Sequence, residues 1–371
     1  MENQQWRFMP MEILGIVFRY LMRRRDKLAF ILVCPEWMEA VDFKVFWAKF
    51  IVKIDEDFSE PSLIYLTQKY YKYITILEIG WGNTRNHSLF FMRFRDIIKR
   101  VGRFFTILYE HYVQLHRLNI FDWYDVHALR KLSYLLMRFM KRQYYLKAVT
   151  LNNANFPDIA FSNSLLAFLR SKSSLKHMTL HFSTFNARKL FDCFAFSTTM
   201  ELFQNLEIIS IDCWIFYKFF DKLQMKFNKV RLIYLYLDYT FKKAEPVIRI
   251  RQCQWEKFHE YFPHAVVNYI IDRPMKDKQF EGILQSQYIL VSFIWNYYPY
   301  KESCLVDCYQ CLQRIVDLQS ENIEYINLTL PTDDLDTLQY KLRSFKRICS
   351  KLKSFLLNNE ELMVKKPIFS K

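Results

Sequence analysis

Glycine is scarce in this sequence. Only five of the 371 residues are glycine, namely Gly15, Gly80, Gly82, Gly102 and Gly282. Loops that hold phosphate groups depend on glycine, because a residue without a side chain lets the backbone amides approach the anion. Neither GxGxxG nor GxxxxGKS/T occurs in the chain. The sequence therefore argues against the common nucleotide-binding folds.

The sequence also lacks a long hydrophobic run and a secretory leader. Apolar stretches such as residues 288–295 are far shorter than the roughly 20 residues that cross a bilayer. The first residues, MENQQW, contain neither a basic region nor a long apolar region. We therefore expect a soluble protein without a membrane partner, in the cytoplasm, the nucleus or both. In that reducing environment its eight cysteines would be free thiols.

Sequence signatures of catalysis and of metal sites are missing. HExxH, paired CxxC and GxSxG do not occur, and the eight histidines are scattered. Cys304, Cys308 and Cys311 have the CxxxCxxC spacing of the cluster-binding cysteines in radical-SAM enzymes. The same cysteines share one helical face with several leucines, and a face of this kind ordinarily lies in a core. We expect a non-enzymatic protein with no metal and no other cofactor.

Large hydrophobic residues and basic residues are abundant. Hydrophobic residues make up 51% of the chain and aromatic residues 18%, which favours a sizeable packed core and excludes a disordered chain. The formal net charge is +15, and the cations are spread along the sequence. This charge favours acidic protein partners, with nucleic acid as the less favoured alternative.

Residues 9–47 contain three short predicted helices. In the first, apolar residues recur at helical spacing: Ile13, Leu14, Val17, Phe18 and Leu21. The third begins at Pro35, whose missing N–H has no partner to lose in the first turn of a helix. Three short helices bury too little apolar surface to be firmly stable alone. We expect the rest of this surface to be covered by the body of the chain or by a partner.

This segment resembles the F-box. The similarity lies in the stretch MPMEILGIVFRYL, the VCPEW that follows, and a second tryptophan ten residues later. Met9, Pro35 and the arginine turn at residues 23–25 depart from the usual pattern. The resemblance implies that residues 5–52 form an F-box, and an ordinary helical cap on the body is the alternative. It also implies a set of residues that dock a Skp1-type adaptor: Pro10, Glu12, Ile13, Leu14, Val17, Phe18, Leu21, Leu28, Val33 and Trp37.

The pattern L-x-x-L-x-L recurs along the rest of the chain at a spacing of about 30 residues. Amphipathic helical stretches separate the copies, for example residues 129–140 and 335–348. The spacing predicts an α/β fold in which residues 53–371 form a leucine-rich-repeat solenoid, a curved parallel sheet with outer helices. Chance periodicity in a chain rich in Leu, Phe and Tyr is the alternative. The copies are Ile74/Leu77/Ile79, Leu115/Leu118/Ile120, Leu146/Val149/Leu151, Leu175/Met178/Leu180, Leu206/Ile209/Ile211, Leu232/Leu235/Leu237, Ile323/Ile326/Leu328 and Leu352/Phe355/Leu357, with degenerate copies at residues 266–271 and 290–295.

The residues between the apolar positions of each predicted strand point to the opposite side of the sheet. We expect this concave side to contact a protein target, since tyrosine beside polar and basic groups is typical of recognition surfaces. A solvated strand residue is the alternative for each position. The candidates are Arg117, Thr150, His177, His181, Tyr234, Tyr236, Tyr325 and Asn327.

The whole arrangement is similar to the animal F-box-only proteins with irregular leucine-rich repeats. This resemblance implies a substrate-recognition subunit of an SCF-type ubiquitin ligase. The F-box would bind the Skp1-type adaptor, and a cullin scaffold through it, while the repeats would present a protein target for ubiquitination. Two other functions remain open: a basic repeat protein that binds nucleic acid, and a scaffold that uses the adaptor without the ligase.

Overall fold

The computed structural model places the described residues in two compact units. The first unit comprises residues 1–175 with 186–190, and the second comprises residues 176–185 with 191–371. The described residues are 9–21, 24–39, 47–59, 61–82, 87–123, 130–152, 154, 172–181, 204–213, 225–236, 252–271, 292–296, 313–317, 320–321, 323–329, 344–345, 347–357 and 360–361.

The first unit begins with three short helices and continues as alternating helices and parallel strands. The N-terminal helices are α1 (Met11–Tyr20), α2 (Arg24–Ile31) and α3 (Pro35–Glu39). The strands are β1 (Lys49–Lys53), β2 (Ile76–Gly80), β3 (Arg117–Phe121) and β4 (Ala148–Asn152), each parallel to the next. The later helices are α4 (Ile54–Asp57), α5 (Ser62–Tyr70), α6 (His87–Glu110) and α7 (Arg130–Lys141), with a 3-10 turn at Tyr71–Tyr73.

The core of the first unit lies between the sheet and these helices. In β2, Leu77 and Ile79 are fully buried, and they are level with Leu118 and Ile120 of β3. Side chains alternate across a strand, so each strand contributes two apolar residues to one continuous layer. On the helix side, the Phe104 ring of α6 stacks on Phe50 of β1 with centroids 6.2 Å apart. The intervening helix returns the chain to the same edge, which is why the strands are parallel.

The second unit contains seven parallel strands and one short antiparallel strand among its described residues. The parallel strands are β5 (His177–His181), β6 (Ile208–Asp212), β7 (Leu232–Tyr236), β8 (Val266–Ile271), β9 (Ser292–Asn296), β10 (Tyr325–Thr329) and β11 (Ser354–Leu357). The antiparallel strand is β12 (Glu360–Glu361). One helix, α8 (Gln252–Tyr261), packs Phe258 against Phe262 beneath the sheet, with ring centroids 5.0 Å apart.

The predicted α/β class with a parallel sheet is confirmed. One predicted copy was wrong in register: β7 buries Ile233 and Leu235, level with Ile209 and Ile211 of β6, so the pattern starts at Val230. Leu232 instead lies on the opposite side of the sheet. The prediction also missed an earlier copy. Trp47, Phe50 and Val52 are all buried at the spacing of the pattern, and β1 is the first strand. This copy begins with tryptophan, so a search for aliphatic residues did not find it.

The sheet begins before the predicted boundary between residues 52 and 53. Strand β1 starts at Lys49 and pairs with β2 along its whole length. The three N-terminal helices also belong to the same compact unit as β1 to β4. The predicted helix over residues 335–348 lies mostly outside the described part of the chain.

Candidate docking and recognition surfaces

The three N-terminal helices share a small aromatic core. Leu14 is only 2% exposed, and Phe18 and Phe30 are also buried. The ring of Phe30 lies between two others, 5.1 Å from Phe18 and 4.4 Å from Trp37 between centroids. Leu14 and Phe18 are four residues apart, so they lie on one face of α1. This face of α1 is used for packing within the chain.

A second apolar face of α1 is exposed. Ile13 is 44% exposed and Val17 is 39% exposed, and Ile16 and Tyr20 are exposed as well. Positions 13, 16, 17 and 20 have the spacing of neighbours along one side of a helix. A helix with one apolar face normally turns that face to the core and a polar face to water. In α1, apolar residues occupy both faces.

Further exposed hydrophobic side chains follow α1. They are Leu32 and Val33 after α2, and Met38 in α3, and Leu32 is 84% exposed. Elsewhere in the described residues, the large aliphatic side chains with comparable exposure are Val266 and Ile348. An apolar concentration of this kind on a short segment marks an interaction site. We call the exposed residues Met11, Ile13, Ile16, Val17, Tyr20, Leu32, Val33 and Met38 the N-terminal apolar surface.

The remaining predicted docking residues have different environments. Pro10 precedes α1, and its carbonyl oxygen accepts the N–H groups of Ile13 and Leu14 at 3.0 and 3.1 Å. Glu12 is exposed in the first turn, where its carboxylate interacts favourably with the positive end of the helix dipole. Leu21 and Trp37 are partly buried. Leu28 lies in α2, and its side chain is outside the described part of the structure.

Trp47 and Lys27 each lie against an aromatic ring. Trp47 lies flat against Tyr70 of α5, with centroids 4.2 Å apart and an interplanar angle of 10°. Trp47 was matched to the F-box pattern, and the structure places it two residues before β1. Lys27 of α2 holds its ammonium group 5.5 Å from the centre of the Phe18 ring. Partial burial, and secondarily the charge of Lys49, lowers the pKa of Lys27.

In the first unit, the side of the strands opposite the apolar layer has charged and polar residues. Lys49 of β1 and Glu78 of β2 form an ion pair of 3.0 Å. Arg117 is exposed at the start of β3, and Thr150 of β4 pairs in register with Asn119 of β3. The predicted recognition residues Arg117 and Thr150 are therefore on the side where the alternation placed them.

In the second unit the corresponding side of the sheet contains a cluster that we call the His–Asp–Tyr cluster. Nε2 of His181 lies 3.3 Å from Oδ1 of Asp212, and the rings of His181 and Tyr236 have centroids 4.5 Å apart. Asp212 is buried. Sequence reasoning predicted His181 and Tyr236 but missed Asp212. An acidic residue directly after the last apolar position of β6 was the available signal.

The other predicted recognition residues lie along the same side. His177 and Tyr234 are partly exposed, Tyr325 is exposed, and Asn327 is partly buried. Tyr234 is level with Asn268 of β8, which is buried and was not predicted. His177 lies at the opposite end of β5 from His181, and Tyr325 and Asn327 lie several strands away on β10. The residues form a row rather than one compact site.

No arrangement for metal binding or for membrane insertion is found in the described ranges. No group of three His, Cys, Asp or Glu side chains there converges as metal ligands would. Of the helices in the same ranges, none combines the length and the apolar character that crossing a membrane requires. Cys304, Cys308 and Cys311 lie outside the described residues.

The chain was also compared with known proteins. No protein-family model matches its sequence. The comparison with curated proteins gives no significant match either.

Proposed function

We propose that this chain is a substrate-recruiting F-box protein. Its N-terminal helices would dock a Skp1-type adaptor, and through it a cullin scaffold, while its parallel strands would form a leucine-rich-repeat array that holds a protein target for ubiquitination. The protein would act in the cytoplasm, the nucleus or both. The observation that supports this proposal most directly is the second apolar face of α1, which nothing in the described chain covers.

The two apolar faces of α1 have different roles. The face with Leu14 and Phe18 already stabilises the three helices, so the face with Ile13 and Val17 is not needed for that packing. Burying apolar surface releases roughly 25 cal/mol per Å², and a face left exposed forgoes this stabilisation until a partner covers it. The adaptor is the partner that the F-box resemblance implies.

The side of the sheet with tyrosines supports the second half of the proposal. One residue of β7 separates Tyr234 from Tyr236, so both side chains point to the same side of the sheet. Tyrosine combines a large apolar ring with a hydrogen-bonding hydroxyl, and it is enriched among the residues that dominate binding at protein interfaces. We therefore assign the target to this side of the sheet and the adaptor to the N-terminal apolar surface.

Charge substitutions on the exposed face of α1 test the adaptor half. We expect Ile13→Asp and Val17→Asp each to weaken co-purification with a Skp1-type adaptor by about a hundredfold or more, since an unpaired carboxylate buried at an interface costs several kcal/mol. The melting temperature of the chain should change little. Titration calorimetry with the purified adaptor measures the first effect, and circular dichroism measures the second.

Two residues elsewhere provide matched controls. Ile348 is 45% exposed and Val266 is 36% exposed, close to the values for Ile13 and Val17. Ile348→Asp and Val266→Asp should leave adaptor binding unchanged. Failure of the unmodified chain to bind the adaptor, or equal losses for test and control variants, would refute the proposal.

A further inference from the structure

Four successive segments that lead into strands β2, β3, β4 and β5 lie side by side. They are residues 70–75, 111–116, 141–147 and 172–175, and we call them the turn edge. The backbone N–H of His116 donates to the carbonyl oxygen of Thr75 at 2.7 Å, and that of Lys147 donates to His116 at 2.8 Å. The hydroxyl of Ser174 donates to the carbonyl oxygen of Leu146 at 2.9 Å. Hydrogen bonds thus join each turn to the next.

Aromatic rings and basic groups also join neighbouring turns. The rings of Tyr71 and His111 stack at 3.9 Å between centroids, with an interplanar angle of 11°. The Arg142 guanidinium lies 4.8 Å from the centre of the Tyr112 ring, and the Lys172 ammonium lies 4.9 Å from the centre of the Tyr144 ring. Lys172 is buried. The exposed part of the turn edge includes the rings of Tyr112 and Tyr144 and basic side chains, namely Lys72, Lys141 and Lys147.

The charge of this surface has one sign. The four turns contain Lys72, Lys141, Arg142, Lys147 and Lys172, and their sequence contains neither Asp nor Glu. Cations near a helix C-terminus stabilise the helix dipole, which gives Lys141 a structural role at the end of α7. Lys72 and Lys147 lie outside the α-helices and are exposed. Lys72 is in the 3-10 turn that follows α5, so among the exposed cations helix stabilisation leaves only the charge of Lys147 unexplained.

Tyr112 presents an exposed aromatic ring just after the C-terminal end of α6. Its φ angle is 53°, in the left-handed region that favours glycine, and a side chain there costs about 1 kcal/mol or more. Tyr112 is nevertheless 67% exposed, so burial does not offset that cost. The positive φ belongs to the end of the helix, and the exposed ring is accessible to a binding partner.

We propose that the turn edge binds an acidic polypeptide segment, rich in Asp and Glu, of a partner protein. Its ammonium, guanidinium and phenol groups are all hydrogen-bond donors, and the carboxylate is the acceptor that pairs best with them. Single-stranded nucleic acid would need free ring faces on which bases stack. At the turn edge, basic or aromatic neighbours cover one face of the rings of Tyr71, Tyr112 and Tyr144 and leave one face for stacking. Carboxylates need no ring face, because they pair directly with the exposed ammonium groups of the turns.

This site is separate from the surfaces assigned above. It uses residues between the helices and strands of the first unit, and it shares none with the N-terminal apolar surface or with the predicted recognition residues. The proposal does not depend on adaptor docking. The test therefore uses the full chain without an adaptor, and its failure would leave the F-box proposal unaffected.

The test compares two double variants with the same change in charge. Lys72→Glu with Lys147→Glu alters the turn edge, while Lys99→Glu with Arg103→Glu alters exposed positions of α6 in the same unit. The probe is a short fluorescein-labelled peptide of alternating Glu and Gly, followed by fluorescence anisotropy at low and physiological ionic strength. We expect the turn-edge variant to bind the peptide at least tenfold more weakly than the unmodified chain. The affinity of the α6 variant for the peptide should stay within about threefold of that of the unmodified chain, since distant exposed charges are screened.

A labelled oligouridylate and the variant Tyr112→Phe with Tyr144→Phe distinguish the partners. Removing both hydroxyls should weaken peptide binding about threefold, because two donors to carboxylates are lost, whereas base stacking would persist on phenylalanine. The proposal is overturned if the unmodified chain does not bind the peptide, or if the two charge variants lose equal affinity. It is also overturned if the oligouridylate binds more tightly than the peptide and only the turn-edge variant loses it.

Discussion

At the scale of single residues, Tyr112 shows how a helix can end without glycine. Helix α6 ends at Glu110, and the N–H of Tyr112 donates to Tyr109 at 3.3 Å while that of Val113 donates to Leu108 at 3.0 Å. These two bonds are those of a Schellman motif, in which the residue with positive φ is usually glycine. Val113 and Leu108 are both buried, as the hydrophobic contact of this motif requires. The local hydrogen bonds therefore hold tyrosine in a conformation that it disfavours.

Replacing this tyrosine by glycine should stabilise the chain. We expect Tyr112→Gly to raise the free energy of unfolding by about 0.5–1 kcal/mol, since glycine adopts positive φ without strain and the exposed contact with Arg142 contributes less than the strain costs. Urea denaturation measures the change. Tyr144 is the matched control: it is 66% exposed, lies under a basic side chain in the same way, and has no positive φ. Tyr144→Gly should destabilise the chain, and a gain in both variants would contradict this account.

At the scale of helices and strands, the glycines of α1 and β2 differ in how closely neighbouring atoms approach them. A Cβ atom added at Gly15 of α1 would meet nothing within 4 Å. A Cβ atom added at Gly80 of β2 would overlap the carbonyl oxygen and the ring of Phe121, which is the next residue across in β3. The pairing of β2 with β3 at this point requires a residue without a side chain.

The two glycine-to-alanine substitutions should have opposite effects. Gly15→Ala should raise the free energy of unfolding by about 1 kcal/mol, because alanine is the better helix former. Gly80→Ala should lower it by about 1–3 kcal/mol, the usual cost of forcing extra atoms into a packed site. Thermal and urea unfolding of the full chain measure both. A neutral Gly80→Ala variant would mean that β2 and β3 move apart at little cost.

At the scale of the whole molecule, apolar layers rather than ion pairs decide stability. Neighbouring strands are bridged near their starts by Lys49 with Glu78 at 3.0 Å and by Lys353 with Glu324 at 2.7 Å. Exposed pairs of this kind contribute about 0–1 kcal/mol each. Each apolar side chain fully buried in the layers contributes about 1.5–3 kcal/mol. Loss of the layer should therefore unfold a unit, while loss of an ion pair should not.

The rate at which cysteines are alkylated tests this packing in the second unit. Burial raises the pKa of Cys213 to about 12, with a further contribution from the charge of Asp212, and burial raises that of Cys349 to about 11. At pH 8 both thiols stay protonated, and only a thiolate reacts quickly with iodoacetamide. Cys253 is exposed. We expect mass spectrometry to find Cys253 alkylated in the folded chain and Cys213 and Cys349 alkylated only after denaturation in urea. Rapid native labelling of Cys349 would contradict the packing around it.

The candidate surfaces were only partly predictable from sequence. Helical spacing selected Ile13, Leu14, Val17 and Phe18 together, because an apolar residue has the same signature whether it faces a core or a partner. The structure divides them, with Leu14 and Phe18 inside and Ile13 and Val17 outside. Alternation along a strand placed His181 and Tyr236 on the side away from the core. Asp212 was missed because its contact with His181 joins residues from different strands.

The sequence by itself determined the repeating strands, since a period of two within each strand and of about 30 residues between strands is local information. It also determined the apolar excess of the N-terminal helices and the basic charge. Only the tertiary structure decided which face of α1 is free, that Trp47 packs on Tyr70 of α5, and that the turns align into one edge. These features depend on which residues, distant in sequence, come within a few ångströms of each other. Packing of the whole chain sets those distances, and a local sequence pattern contains no information about them.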